Sequence, residues 1–444
     1  MGTITAPGIG SGLDIAGIVQ SLVAVERQPL DRIESRRSAA QAELSAYGRL
    51  NSGLDTFQTA LDDLDSFANF RIFAPTSSNE EIATATASSD AAEGDTDVVV
   101  TQLAQRNVLS STAFVDAETV IGTGTLSIAV GADSFDITLD STNNTLSAIR
   151  DAINNSSDNT GITATVINAN DGSHLILSAD DTGLENSITI SASGDGGSLS
   201  ALTSANLTVE EVALDAEFTV SGFAVTSASN SVSNVLQGVS FDLLAVGSTT
   251  ITVGRDNAAV EETVQTFVDA FNTLNTAING LRAGDLQGDS LLLTISSGAR
   301  NIFNTATTGL SGSFSTLSEI GVAFDENGVL TLDSDSLITA LNTDFRGVSN
   351  LFADPTQGYV TRLQDLADGL TQSGGLIDSR EEGVNQRITN FDVQVDRFED
   401  RLSRIERRLL NQFTALDVLL GTLNNTSNFL STQLASLPTI QRRN

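Results

Sequence analysis

The sequence predicts an α+β multidomain protein: a discontinuous helical, coiled-coil stalk drawn from both termini, carrying strand-rich inserted head domains. Three observations predict it. An apolar heptad repeat runs through the C-terminal segment, and a three-and-four apolar spacing runs through the N-terminal one. Between them, residues 76–253 change to Ser, Thr, Gly and Asp with alternating apolar positions. A chain of 444 residues is long enough for several domains that each bury a core.

In chain order, Ile15, Ile18, Leu22 and Val25 form a short amphipathic segment ahead of Pro29. Beyond it, Leu30 and Ile33 open a stripe that continues through Ala40, Leu44, Tyr47, Leu50, Leu54, Phe57, Leu61, Leu64 and Ala68, and Pro75 is expected to close it. Strands are expected at 82–87, 97–102, 124–129, 134–139, 163–168, 174–178, 187–191, 217–220 and 249–253. One helix, 146–153, interrupts them behind an Asn144-Thr145 start. Turn residues at Asn170-Asp171-Gly172 and across 193–197 separate neighbouring runs. Helical spacing returns from Ala258 through Val260, Val264, Phe267, Val268, Phe271, Leu274, Ile278 and Leu281, and a second helix is expected near Asp289. A hairpin turning at Asn327-Gly328 joins 322–324 to 329–332, and helices follow at 336–341 and 345–352.

The C-terminal repeat is the strongest pattern. Its a positions are Ile388, Val395, Leu402, Leu409, Leu416, Leu423 and Leu430; its d positions are Val384, Phe391, Phe398, Ile405, Gln412, Leu419 and Thr426. The twelve apolar members, all but Gln412 and Thr426, are the expected oligomerisation seam. Glu399 and Arg401, then Glu406 and Arg408, flank it at e and g, and no Pro intervenes before Pro438. A long stripe facing water makes at best a marginal helix, so both terminal stripes need partners. Packing within one monomer and packing between subunits would each satisfy them. Their length, thin capping and lack of a third stripe favour packing between subunits.

Composition excludes most chemistry. Cys is absent, His174 is the only histidine, and all 22 basic residues are Arg. Disulfides, thiolate and His-cluster metal sites, cysteine nucleophiles, Schiff-base lysines and a P-loop are therefore excluded. The formal charge is −34, and residues 76–253 hold only Arg106 and Arg150 against 23 acids. Nucleic acid and anionic lipid both require a basic footprint, so neither nucleic-acid binding nor membrane insertion is expected. The acidity reads either as an outward, self-repelling region or as a composition suited to a salty habitat. Residues 380–444, with nine Arg and eight acids, can approach one another without that repulsion. No apolar run approaches the ~18 residues of a membrane span, and no basic residue precedes Arg27 as a secretory signal would require. That reads as cytoplasmic, or as a substrate of a dedicated export channel.

Local motifs offer no catalytic, cofactor or metal residue. Asp171-Gly172-Ser173-His174 holds triad residue types, but side chains one to three residues apart at a hairpin mouth seldom converge as a triad must. Asp325-Glu326-Asn327-Gly328 and 168–172 lack the alternating carboxylates and distal Glu of a calcium loop. Gly8-Ile9-Gly10-Ser11-Gly12 follows no strand and has the wrong spacing for a dinucleotide fingerprint.

Several blocks are similar to a known family. The opening Gly8-Ile9-Gly10-Ser11-Gly12-Leu13-Asp14-Ile15, then Ile18-Val19 and Glu26-Arg27-Gln28-Pro29-Leu30, resembles the N-terminal signature of the hook-associated protein 2 family of flagellar filament caps. Residues 124–180 are similar to a motif inserted in flagellins and hook proteins, and 216–222, Gly288-Asp289-Ser290-Leu291 and 320–333 resemble further family blocks. The resemblance implies a non-enzymatic, cofactor-free assembly protein that caps the distal end of the bacterial flagellar filament and promotes insertion of exported flagellin. It further implies a ring-like homo-oligomer, partners in flagellin, the filament end and hook–filament junction proteins, and an export chaperone at the C-terminal helix. Its implied location is extracellular, at the flagellum tip, after export without a cleaved signal peptide. The expected division is terminal coiled-coil segments 1–40 and 384–444, a helical leg 41–75 with 254–383, a head 76–112 with 207–253, and a second head 113–206. An extracellular adhesin or a hook–filament junction protein is the alternative.

Overall fold

The computed structural model describes residues 12–194 and 198–435; Gly8 to Ser11 of the opening motif, 195–197 of the predicted turn and Pro438 lie outside the described residues. The chain forms two compact units, 67–262 and a discontinuous one built from 1–66 and 263–444.

The discontinuous unit starts with α1 (Ile15–Asp62), one helix where the sequence suggested a break at Pro29. Pro29 lies on the exposed face, where the carbonyl it leaves unbonded can be hydrated, so the ring is tolerated. Asp14 caps the start, its carboxylate accepting from the Gly17 N–H at 2.9 Å. The helix stops at Asp62, short of the predicted Ala68.

In the unit 67–262, the four-residue α2 (Phe67–Phe70) leads into β1 (Phe73–Ser77), and every strand pairing that follows is antiparallel. Pro75 lies inside β1 instead of closing a helix; β1 is an edge strand, the place where a missing N–H is tolerated. One apolar cluster joins a sheet ordered β1, β15 (Gly247–Arg255), β3 (Gly94–Gln102), β11 (Ala216–Val220), β12 (Phe223–Ser227) to a second ordered β13 (Ser231–Leu236), β14 (Val239–Leu243), β2 (Ala83–Ala87). Along β3, Val98 and Val100 point into this core while Val99 points out.

A second cluster lies under a sheet ordered β10 (Thr208–Glu211), β4 (Arg106–Ser110), β8 (Gly172–Thr182), β7 (Ile162–Ala169) and another ordered β6 (Asp133–Leu139), β5 (Gly124–Val130), β9 (Ile188–Gly194). Its one α-helix, α3 (Leu146–Asn154), buries Leu146, Ile149 and Ile153 at the predicted spacing, and Thr145 caps it. Strands β1, β4, β10, β12, β13 and β14 are additional to those expected; all are short, and of them β14 does carry the alternating signal, with Val239, Phe241 and Leu243 buried.

The chain then returns through α4 (Asn257–Ala283) and α5 (Ser290–Asn304), the hairpin β16 (Val322–Phe324) and β17 (Leu330–Leu332), α6 (Ser334–Ala353), α7 (Tyr359–Thr371) and α8 (Leu376–Ala435). Asp344 is the one non-helical point in α6 and separates the two stretches read from sequence. Gly328 sits at the hairpin turn with φ +78°, a conformation that favours glycine. An aromatic cluster organises this unit. Phe267 of α4 touches Phe57, Phe303 and Phe352, and Phe271 meets Phe303 edge-on at 4.9 Å. Arg362 of α7 donates to the Ile302 carbonyl at 2.6 Å, satisfying the last turn of α5.

Phe267→Ala should cost about 3–5 kcal/mol in denaturant unfolding of the helical unit. Phe223→Ala, at a residue 78 % exposed, should stay within about 0.5 kcal/mol.

Candidate assembly surface on the terminal helix pair

α1 and α8 pack antiparallel within one chain. Leu30 is buried against Val395 and Leu402, with Val23, Ile33 and Phe398 half-buried around them. Ion pairs fix the direction: Arg37 meets Asp392 at 2.8 Å, and Glu43 meets Arg387 at 2.6 Å. Both pairs are partly exposed to solvent, so each contributes about 1 kcal/mol and the apolar contact dominates. Further along, the Tyr47 hydroxyl donates to Asp289, whose other oxygen caps α5 through the Leu291 N–H at 2.8 Å. Arg380 of α8 lies 3.8 Å from Asp289. Burial, reinforced by Asp289, pushes the Tyr47 phenol well above its ordinary range and keeps it a proton donor.

Of the two packings the sequence allows, the monomer supplies the less favoured one in part: α1 completes part of the α8 seam inside the chain. Val384, Val395 and Leu402 are buried, and Ile388, Phe391, Phe398, Ile405 and Leu409 are half-buried. Leu416 is 42 % exposed, Leu419 56 %, Leu423 55 % and Leu430 54 %. The reason is length. With Arg37 opposite Asp392 and equal rise per residue, Ile15 falls opposite about residue 414, so α1 runs out where the exposed part begins. The leucine face then continues to Leu434, 68 % exposed.

The other motifs singled out in the sequence are occupied locally. His174 Nδ1 lies 2.8 Å from the Ser111 carbonyl and Nε2 lies 3.2 Å from Asp171. The Ser173 hydroxyl instead donates to Asn168 at 2.6 Å, so the three residue types form no relay. Asp325 accepts from the N–H groups of Val329 and Asn327 at 2.8 and 2.9 Å, which lowers its pKa and commits the carboxylate to its own turn. Among the described residues no group of His, Asp and Glu could hold a metal ion, and no helix is long and apolar enough to cross a membrane.

Comparison with known proteins gives matches along the whole chain. Residues 11–107 match the family model of the flagellar hook-associated protein 2 N-terminus, 213–425 that of its C-terminus, and 125–181 that of the flagellin hook IN motif. The chain is 33 % identical to the B-type flagellar hook-associated protein 2 of Pseudomonas aeruginosa, over 97 % of both chains. It is 33 % identical to the flagellar hook-associated protein 2 of Escherichia coli K12, over 98 % of both. The crystal structure of the D1-D2-D3 domains of the flagellar cap protein FliD from Escherichia coli superposes with a TM-score of 0.65 at 33 % identity, covering 77 % of this chain and 99 % of that one.

Two outcomes follow from this geometry. Leu402→Asp should unseat α1 from α8, lowering helicity and raising amide exchange along both helices in the monomer. The Ser111 carbonyl, then Asp171, raise the His174 pKa above its ordinary 6.5. Its contribution to stability is therefore present below about pH 6.5 and lost as pH rises through the folded value. The unfolding difference between the parent and His174→Ala should shrink from pH 5.5 to pH 8.5, with assembly and motility unchanged.

Proposed function

The chain belongs to the flagellar hook-associated protein 2 family, and from that premise we propose that it caps the distal end of the bacterial flagellar filament and promotes insertion of exported flagellin. The role is structural and needs no reaction chemistry. One observation carries the reading: the leucine face from Leu416 to Leu434 leaves the monomer uncovered, on a helix about 90 Å long by its 60 residues. Burying half-exposed leucines against other molecules contributes on the order of 1 kcal/mol each, enough in sum to favour assembly. The twelve-residue seam thus has two tasks. Its first part, 384–409, holds α1 and α8 together, and its second part, 416–430, joins subunits and the filament end.

In this reading the terminal segments 1–40 and 384–444 engage the filament and the leg 41–75 with 254–383 supports them. The expected heads, 76–112 with 207–253 and 113–206, become 76–105 with 212–253 and 106–211 once the sheet holding β4 and β10 is kept whole, and both face solvent outside the cell. The acid-rich composition of the heads keeps them soluble and apart from anionic surfaces. Hook–filament junction proteins are the contact at the start of growth, and an export chaperone covers the exposed leucines of α8 before export. Family membership favours this cap over an adhesin.

Leu419→Asp with Leu423→Asp should leave the monomer folded, abolish oligomers in sedimentation, and fail to restore filaments to a strain lacking the protein. Such cells should secrete unpolymerised flagellin. Normal filaments with this variant would overturn the reading, as would a deletion strain that keeps its filaments and loses only surface attachment.

A further inference from the structure

We infer that α8 carries a self-complementary pair of charged flanks that dock neighbouring copies of this chain side by side, the basic flank of one against the acidic flank of the next. The inference rests on the proposed homo-oligomeric cap. Arg397, Arg401, Arg404 and Arg408 are spaced by four, three and four residues, so at about 100° per residue they share one stripe. Asp396, Glu399 and Glu406 share another by the same rule. In the heptad the arginines occupy c and g and the acids b and e, so the stripes flank the a/d seam on opposite sides. Leu30 of α1 sits on that seam at Val395 and Leu402, which leaves both flanks open.

All seven side chains are exposed. The ion pairs between α1 and α8 occur at Glu43–Arg387 and Arg37–Asp392, and none of the seven forms an ion pair among the described residues. Arg401 lies over the Phe398 ring at 5.7 Å, which orients it without neutralising it.

A second copy is the occupant this pattern fits. Complementary surfaces on opposite sides of one element generate head-to-tail contacts, which close into a ring when the rotation between copies divides a full turn. In a ring whose axis runs along α8, neighbouring copies of the helix share one direction, so the c/g flank of one lies beside the b/e flank of the next while α1 keeps each a/d seam. Arg401 and Arg408 of one copy then lie level with the Glu399 and Glu406 positions of the next. Anionic lipid and nucleic acid fit poorly, because the basic stripe belongs to a chain of formal charge −34. The same net charge opposes self-association, and the matched flanks offset it locally.

Three full-length variants test this by sedimentation velocity at low and high salt. Arg401→Glu with Arg408→Glu, and separately Glu399→Arg with Glu406→Arg, should each weaken self-association by about tenfold or more. An equimolar mixture of the two should recover association, because each supplies the flank the other lacks. The variant with all four substitutions should associate like the parent. In the parent, association should fall between 0.05 and 0.5 M salt. Circular dichroism checks helicity, and Arg401→Gln with Arg408→Gln replaces the first variant if reversal unfolds α8. Parent-like association of either reversed variant overturns the inference, as does a mixture that stays dissociated with helicity intact. Should association ignore the flanks while the parent chain still restores filaments, the inference fails alone; a parent chain that restores none sinks the cap reading itself.

Discussion

The apolar contact between α1 and α8 is the constraint on which the helical unit depends. It joins segments more than 300 residues apart in sequence, with Leu30 against Val395 and Leu402 and an ion pair from Arg37 to Asp392. Neither helix would be stable as an isolated amphipathic rod in water, and each supplies the surface the other must bury. Because the contact is antiparallel and α1 is the shorter helix, it also determines how much of α8 remains bare. Stability of the monomer and its tendency to assemble are set by the same register.

Tyr47 and Asp289 extend this logic to the next layer. Asp289 caps α5, accepts the Tyr47 hydroxyl and lies near Arg380, so one carboxylate ties α1, α5 and α8 together. The aromatic cluster around Phe267 and Phe271 then packs α4, α5, α6 and the hairpin strand carrying Phe324 onto the same frame. Polar positioning near the helix ends and aromatic burial at the centre divide the work as expected for a bundle whose surface charges are individually weak.

Periodicity carried most of the fold. Heptads, the three-and-four stripe and the α3 pattern all appear as helices because a buried face imposes a spacing that sequence records directly. What periodicity cannot record is the partner. The same leucines satisfy a seam whether the opposing helix comes from this chain or another, so the division at Leu409 and Leu416 followed only from where α1 begins. Pro29 misled for a related reason, since its cost depends on which way the freed carbonyl faces. Strand β10 left no signal because Thr208, Glu210 and Glu211 are polar and its partner β4 is distant in sequence. Composition narrowed the available chemistry, since a chain without Lys or Cys and with one His lacks common nucleophiles and bases, but the function class came from the family blocks.

The strands through which the chain enters and leaves the sheet-rich unit are paired directly, Phe73 beside Arg255 in antiparallel register. An excursion of nearly two hundred residues therefore departs and returns through a single doorway, its two ends held as neighbours by one strand pairing. Evolution, or an engineer, can enlarge, trim or exchange everything beyond that doorway, provided the replacement also brings its first and last residues side by side.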